Sequence, residues 1–156
     1  MDERPRWVLL AYRLPREPST PRIALWRKLR QLGALQLLDG LVGLPLGDQT
    51  REQCEWLADG IVEAGGEAAL WLAEPAAKGQ ADDLVAEVQE ARAAEYRAVA
   101  VAAERARDEG QTGRGRTLGR MRRELRRIRA RDYFGAPGRR EAEAAVKTLA
   151  ATGVDA

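Results

Sequence analysis

The chain has 156 residues, 45% of them hydrophobic, with 26 basic and 24 acidic side chains and a formal net charge of +2. That length bounds it to one domain or one small domain with an extension. With one cysteine, one serine, no histidine and no asparagine, an internal disulfide, a Cys/His zinc site and the Ser-His-Asp and Cys-His triads are all out of reach. No run approaches the roughly 18 apolar residues that cross a bilayer. The opening Met-Asp-Glu-Arg-Pro-Arg lacks the apolar core of a signal peptide, so a cytoplasmic location is expected, with no metal and no cofactor. Cys54 is expected to be a small core hydrophobe, not a reactive thiol.

Residues 7–14 (WVLLAYRL) are a short continuous apolar run stopped by Pro15. The run has no helical period and predicts a strand buried on both faces. Pro15, Pro18 and Pro21 stiffen the loop that follows, where Ser19 or Thr20 is placed to cap a helix whose first residue is Pro21. That helix, residues 20–32, sets Leu25, Trp26, Leu29 and Leu32 on one face and ends at Gly33. Residues 34–38 and 41–46 predict two strands around the hairpin signal Asp39-Gly40, and Gly43 marks a bulge or a close backbone approach. A second helix is capped by Asp48 or Thr50, turns Cys54, Leu57 and Ile61 inward and stops at Gly65-Gly66; Trp56 lies off that face, placed to cover a sheet edge. Residues 67–73 make a final strand before Pro75. This order is the βαββαβ unit of ferredoxin-like folds, a four-stranded antiparallel sheet with two helices on one face and the first strand central. Of Trp7, Trp26, Trp56 and Trp71, three are expected in the core.

From Ala76 onward Ala, Glu and Arg dominate and no strand signal remains. The predicted class is therefore α+β, with a ferredoxin-like domain over residues 1–75 and a helical extension over 76–156. Residues 80–108 carry Val85, Val88, Tyr96, Val99, Ala103 and Ala106 as a narrow apolar seam. Residues 110–115, rich in glycine, predict a flexible turn. A second helix from Thr117 repeats the seam with Leu118, Met121, Leu125 and Ile128, which makes an antiparallel helical hairpin. Residues 132–138 break the helix with Tyr133 and Phe134 docking the break. A short helix holding Ala142, Ala145, Val146 and Leu149 follows, and the last residues fray.

In order and spacing, Trp7 to Pro15 (WVLLAYRLP), Pro21-Arg22 with Trp26-Arg27-Lys28-Leu29, Leu32-Gly33-Ala34, Leu38-Asp39-Gly40-Leu41-Val42, Leu44-Pro45, Glu63-Ala64-Gly65-Gly66-Glu67-Ala68, Glu95-Tyr96 and Asp132-Tyr133-Phe134 resemble the N-terminal domain of the ChrB family of chromate-resistance regulators, over nearly the whole chain. The resemblance implies a cytoplasmic transcriptional regulator that binds operator DNA upstream of chromate-efflux genes and releases it when chromate is present. The first half is also similar to the C-terminal part of the phenylacetate-pathway repressor PaaX, which in turn resembles the small ferredoxin-like nucleases of CRISPR spacer acquisition. Longer ChrB relatives carry a second, C-terminal domain, so sensing assigned to that domain does not transfer to these residues. The nucleases place a metal-holding aspartate at the end of the first strand, where this chain reads Tyr12-Arg13-Leu14; an arginine there repels a divalent cation.

Charge is uneven. Residues 1–75 sum to −2, 76–111 to −3, 112–140 to +9 and the last sixteen to −2. Arg114, Arg116, Arg120, Arg122, Arg123, Arg126, Arg127, Arg129 and Arg131 fall within 18 residues, on and just before the second long helix. Guanidinium forks match phosphate oxygens in pairs, which points to DNA. The competing reading pairs these arginines with Asp82, Asp83, Glu87, Glu90, Glu95, Glu104, Asp108 and Glu109 on the preceding helix, and a third brings an acidic protein or membrane surface to them. A second candidate is an oxyanion site for chromate, sulfate or phosphate, built from Ser19, Thr20 and the free amides at the first helix start with Arg13, Arg16 and Arg22; helix capping alone also accounts for those residues. The expectation is a nonenzymatic, DNA-associated regulator, a homodimer through an exposed sheet face or edge, with no membrane partner. The alternatives are a metal-dependent nuclease relative using Asp39 or Glu17, and a scaffold whose helical hairpin binds a partner protein.

Overall fold

The computed structural model describes residues 4–152. It is a mixed fold of one four-stranded antiparallel sheet and five helices, and it separates into two compact units, Met1–Leu84 and Val85–Ala156. The expected fraying of the chain end concerns residues 153–156, outside the described residues.

In the first unit, β1 (Trp7–Arg13) is central, paired antiparallel with β3 (Leu41–Pro45) on one side and β4 (Glu67–Ala73) on the other; β2 (Leu35–Leu38) pairs with β3, giving the order β2-β3-β1-β4. Helices α1 (Thr20–Leu32) and α2 (Asp48–Glu63) complete the unit. Side chains alternate across a strand, so the register that sets Leu10 opposite Val42 and Leu70 fixes one face. Leu10, Val42 and Leu70 meet Leu25 and Leu29 of α1 and Ile61 of α2 in a single apolar cluster. On the opposite face Trp7 is buried, next to Leu9 in an open cleft of about 280 Å³ that Ala76, Gln80 and Leu84 also line. Leu9 and Ala11 stay half-buried, so the burial of β1 on both faces is complete only at its Trp7 end.

The tryptophans depart most from expectation: Trp7 is 2% exposed, whereas Trp26, Trp56 and Trp71 are 55%, 76% and 60% exposed. Trp26 and Trp56 follow inward residues by one or two positions, which on a 3.6-residue turn swings them off the buried stripe. Trp71 sits on an edge strand and faces away from the core cluster. Trp56 does not cover a sheet edge; it borders a cleft with Leu57, Lys28 and Glu52.

Local chemistry explains where the elements stop. Gly33 takes a left-handed conformation (φ 74°) and its N–H closes on the Arg30 carbonyl at 3.1 Å, ending α1. Ser19 occupies the N-cap position of α1 but its side chain makes no capping bond, and the helix begins at Thr20, not Pro21. The N-cap of α2 is Gly47, one residue before Asp48; Thr50 folds back instead, its hydroxyl accepting the Gly47 N–H at 2.9 Å and donating to the Pro45 carbonyl at 2.6 Å. Because Thr50 is buried, Thr50→Val is expected to cost about 1–2 kcal/mol, read as a lower urea midpoint at unchanged slope. The hairpin glycines divide their roles differently from the prediction. The irregularity lies in β2, between Gln36 and Leu38, and the close backbone approach is at Gly40 (φ 74°), where a Cβ would sit 2.6 Å from the Tyr12 carbonyl oxygen. Gly43 instead leaves room for the Leu9 and Trp7 side chains. Gly66 is a second close approach, against the Arg13 carbonyl. Cys54 is 1% exposed, and burial pushes its thiol up to about 11, so it is protonated and acts as a core hydrophobe.

In the second unit, α3 (Lys78–Ala106, continuing from the first unit), α4 (Gln111–Ala130) and α5 (Arg139–Ala151) enclose one core in which Tyr96, Val99 and Ala103 meet Met121, Leu125, Ile128, Ala142, Val146 and Leu149. Thr117 at the start of α4 bonds Glu109, just past the end of α3, while Arg131 and Asp132 at the far end of α4 bond Glu95 and Tyr96 in the middle of α3, so α4 runs back antiparallel along α3, as its seam predicts. The start of α4 does not follow the prediction. The glycine-rich stretch is helical from Gln111, because Glu109 secures that turn. Its carbonyl accepts from Arg114 at 2.7 Å and its carboxylate from Thr117 at 3.2 Å, and a carboxylate beside a helix N-terminus is favourable.

Tyr96 is fully buried and donates to Asp132 at 2.9 Å. Burial first, then the Asp132 carboxylate, pushes its hydroxyl up to about 12. Since the unfolded phenol titrates near 10, the stability carried by neutral Tyr96 is complete below pH ~10 and is lost as pH rises towards about 12, the unfolded state releasing its proton first. Urea midpoints taken across that alkaline window should fall for the native chain and fall less for Tyr96→Phe.

Candidate nucleic-acid interface

The α4 sequence alternates seam and arginine with a helical period. Thr117, Met121, Leu125 and Ile128 are buried, so the positions between them turn outward. Two arginine rows result: Arg116, Arg120, Arg123 and Arg127 on one side of the outer face, and Arg122, Arg126 and Arg129 on the other. At 1.5 Å rise per residue the first row spans about 16 Å.

The nine arginines divide into two groups. Arg116, Arg120, Arg122, Arg123 and Arg126 are exposed, and among the described residues of their unit none has a carboxylate within 4.0 Å. The other four have partners. Arg114 donates to the Glu109 carbonyl; Arg127 lies 3.7 Å from Glu124 and Arg129 lies 3.6 Å from Glu143, both still open to solvent. Arg131 is largely withdrawn from the surface. Its side chain is 14% exposed and is held by Glu95 at 3.1 Å and Glu124 at 3.5 Å.

Among the described residues, the pairing of these arginines with the acids of the preceding helix is thus confined to Arg131 with Glu95; Arg114 reaches only the backbone carbonyl of Glu109, and Glu90 goes to Arg97 on its own helix at 3.0 Å. Glu95 is shared with Arg92, whose side chain is 8% exposed and whose Nη2 donates to it at 3.0 Å. Burial lowers the Arg92 pKa, opposed by the Glu95 charge. Arg92 went unremarked in the sequence because nothing local distinguishes a buried arginine from its exposed neighbours; its place three residues before Glu95 was the available signal.

The second candidate site is only partly assembled. Arg13 and Arg22 line one open cleft of about 780 Å³, together with Arg30, Trp26 and Asp39. Arg16, Ser19 and Thr20 are exposed and lie outside its lining. Glu17 is exposed in the same loop. Among the described residues, no group of three or more His, Cys, Asp or Glu side chains is arranged to hold a metal ion.

The family described as "Protein ChrB, N-terminal" matches residues 22–111 by its sequence model. The chain belongs to the ChrB family. The match runs from the first turn of α1 to the first residue of α4, narrower than the resemblance read from the sequence, whose Trp7–Pro15 and Asp132–Phe134 stretches lie outside it, as do the nine arginines. No curated protein and no solved structure matches this ChrB-family chain. Chromate resistance is therefore the context of the chain, while the role of α4 rests on its own geometry.

Proposed function

We propose that this ChrB-family chain serves a chromate-resistance regulator as a DNA-associated element, contacting the phosphate backbone through the outer face of α4. The observation that carries the reading is the set of five exposed arginines that have no carboxylate partner among the described residues. Mutual repulsion among crowded guanidinium groups is relieved by a polyanion, and the counterions released make binding fall steeply with salt. An electrophoretic shift with promoter duplex at about 50 and about 200 mM salt tests it: a salt-sensitive shift is expected, and an absent one ends the reading. The role is nonenzymatic and cytoplasmic, and no described helix is long and apolar enough to cross a membrane. The strand order β2-β3-β1-β4, with a helix after β1 and another after β3, supports a ferredoxin-like first domain. An oxyanion response draws its support from Arg13 and Arg22 in one cleft.

A second reading concerns self-association. Helix α1 carries Arg22, Arg27, Lys28 and Arg30 and no acid, whereas α2 carries Asp48, Glu52, Glu55, Asp59 and Glu63 against Arg51 alone. A two-fold axis sets α1 of one copy on α2 of the other, and the same contact then forms twice, with exposed Trp56 at its centre. Reversing α1 (Arg27→Glu with Lys28→Glu) or α2 (Glu52→Lys with Asp59→Lys) should each yield monomers by sedimentation, and mixing the two variants should restore a dimer. Dimers that persist in each variant alone refute this surface.

A further inference from the structure

We propose that the cleft beside α1 binds a nucleoside phosphate, its base against Trp26 and its phosphate on the flanking arginines. Arg22, Trp26 and Arg30 stand at four-residue intervals on α1, a single helical row in which a ring lies between two cations. All three line the cleft of about 780 Å³, whose lining also includes Leu25, Leu29 and Val42 from the core and Arg13 from the end of β1. The cleft thus brings three guanidinium groups together at the edge of the apolar core. Asp39 is the one carboxylate in its lining, which leaves a net charge of +2 there.

None of these cations is strongly neutralised. Among the described residues of the unit, Arg22 and Arg30 have no carboxylate within 4.0 Å, and Arg13 has Glu67 at 3.9 Å with both side chains more than four-fifths exposed. Trp26 is 55% exposed, and its ring already accepts a guanidinium, with the Arg30 Cζ at 4.9 Å from the centroid. A half-exposed tryptophan ring beside arginines that solvent still reaches is the arrangement on which a base stacks and a phosphate is held. The three arginines suit a dianionic phosphate better than a single carboxylate. Asp39 and Gln36, also in the lining, offer an acceptor and a mixed donor–acceptor to the edge of a base. Of the oxyanion site expected from Arg13, Arg16, Ser19, Thr20 and Arg22, the proposed site keeps Arg13 and Arg22 and adds Trp26 and Arg30.

The experiment uses the full chain and three probes: AMP, adenosine and inorganic phosphate, titrated by calorimetry. AMP is expected to bind saturably, with each partial probe at least about tenfold weaker, since each lacks one half of the recognition. Trp26→Ala and Arg22→Gln with Arg30→Gln should each weaken AMP by at least about tenfold with unchanged circular dichroism, both sites being exposed. Arg116→Gln with Arg120→Gln and Arg123→Gln should leave AMP binding as it is, which separates this cleft from the α4 interface. The proposal is overturned if AMP fails to saturate up to about 1 mM, if phosphate alone binds as tightly, or if the α4 variant and not the cleft variants abolishes the heat.

Discussion

Replacing Arg116, Arg120 and Arg123 together by glutamine should lower the affinity for promoter DNA by about 100-fold at physiological salt and flatten the slope of log K against log salt by about 3. The three side chains lie on one row of α4, are exposed and have no acidic partner among the described residues, so their loss removes the proposed phosphate contacts and breaks no ion pair of the fold. The melting temperature should stay within experimental error of the parent or rise slightly as repulsion is relieved. Arg131→Gln is the informative contrast. Its side chain is 14% exposed and bound to Glu95 and Glu124, so its replacement should destabilise the second unit, because Glu95 loses one of its two cations, while the salt slope of the folded fraction stays unchanged. Fluorescence-anisotropy titrations over a salt series read both effects. If the triple variant binds DNA as the parent does, α4 is not the interface.

The largest loss of stability is expected from Asp132→Ala. Asp132 accepts the Tyr96 hydroxyl at 2.9 Å on one oxygen and the Ala136 N–H at 2.8 Å on the other, tying the break after α4 to the middle of α3. Both donors belong to buried residues. Removing the carboxylate leaves two buried donors without an acceptor, for a cost of about 3–4 kcal/mol, a large share of the 5–15 kcal/mol that holds an ordinary domain together. Asp132→Asn keeps one acceptor oxygen for one of the two donors and should cost about half as much. Equilibrium urea denaturation at neutral pH distinguishes the two; equal midpoints for both variants and the parent would mean that the break is held by packing alone.

Much of this molecule was legible one segment at a time. The apolar run of β1, the glycines at 33 and 40, the seam of Met121, Leu125 and Ile128, and the partners of β3 and β4 follow from period, turn chemistry and the need to bury one face. Segments where several local signals compete were misplaced by a few residues: the glycines at 113 and 115 argue against helix, and only the Glu109 contacts made across the turn decide for it. The cap of α2 lies one residue before Asp48, at Gly47, because the Thr50 hydroxyl reaches back three residues to the Gly47 N–H.

What the sequence by itself determined is the order of elements, the inward stripe of each helix and the concentration of positive charge on α4, because each depends on spacing along the chain. Only the tertiary structure decided which charges are already matched and which aromatic faces stay in water. Arg131 and Glu95 are 36 residues apart and Arg129 and Glu143 lie on different helices, so whether an arginine is neutralised depends on distances through space that no local pattern encodes. The same holds for Trp26 and Trp56. Their neighbours Leu25 and Cys54 are inside, and a shift of one or two positions around the helix, set by where the sheet lies, is the difference between a core side chain and a surface one.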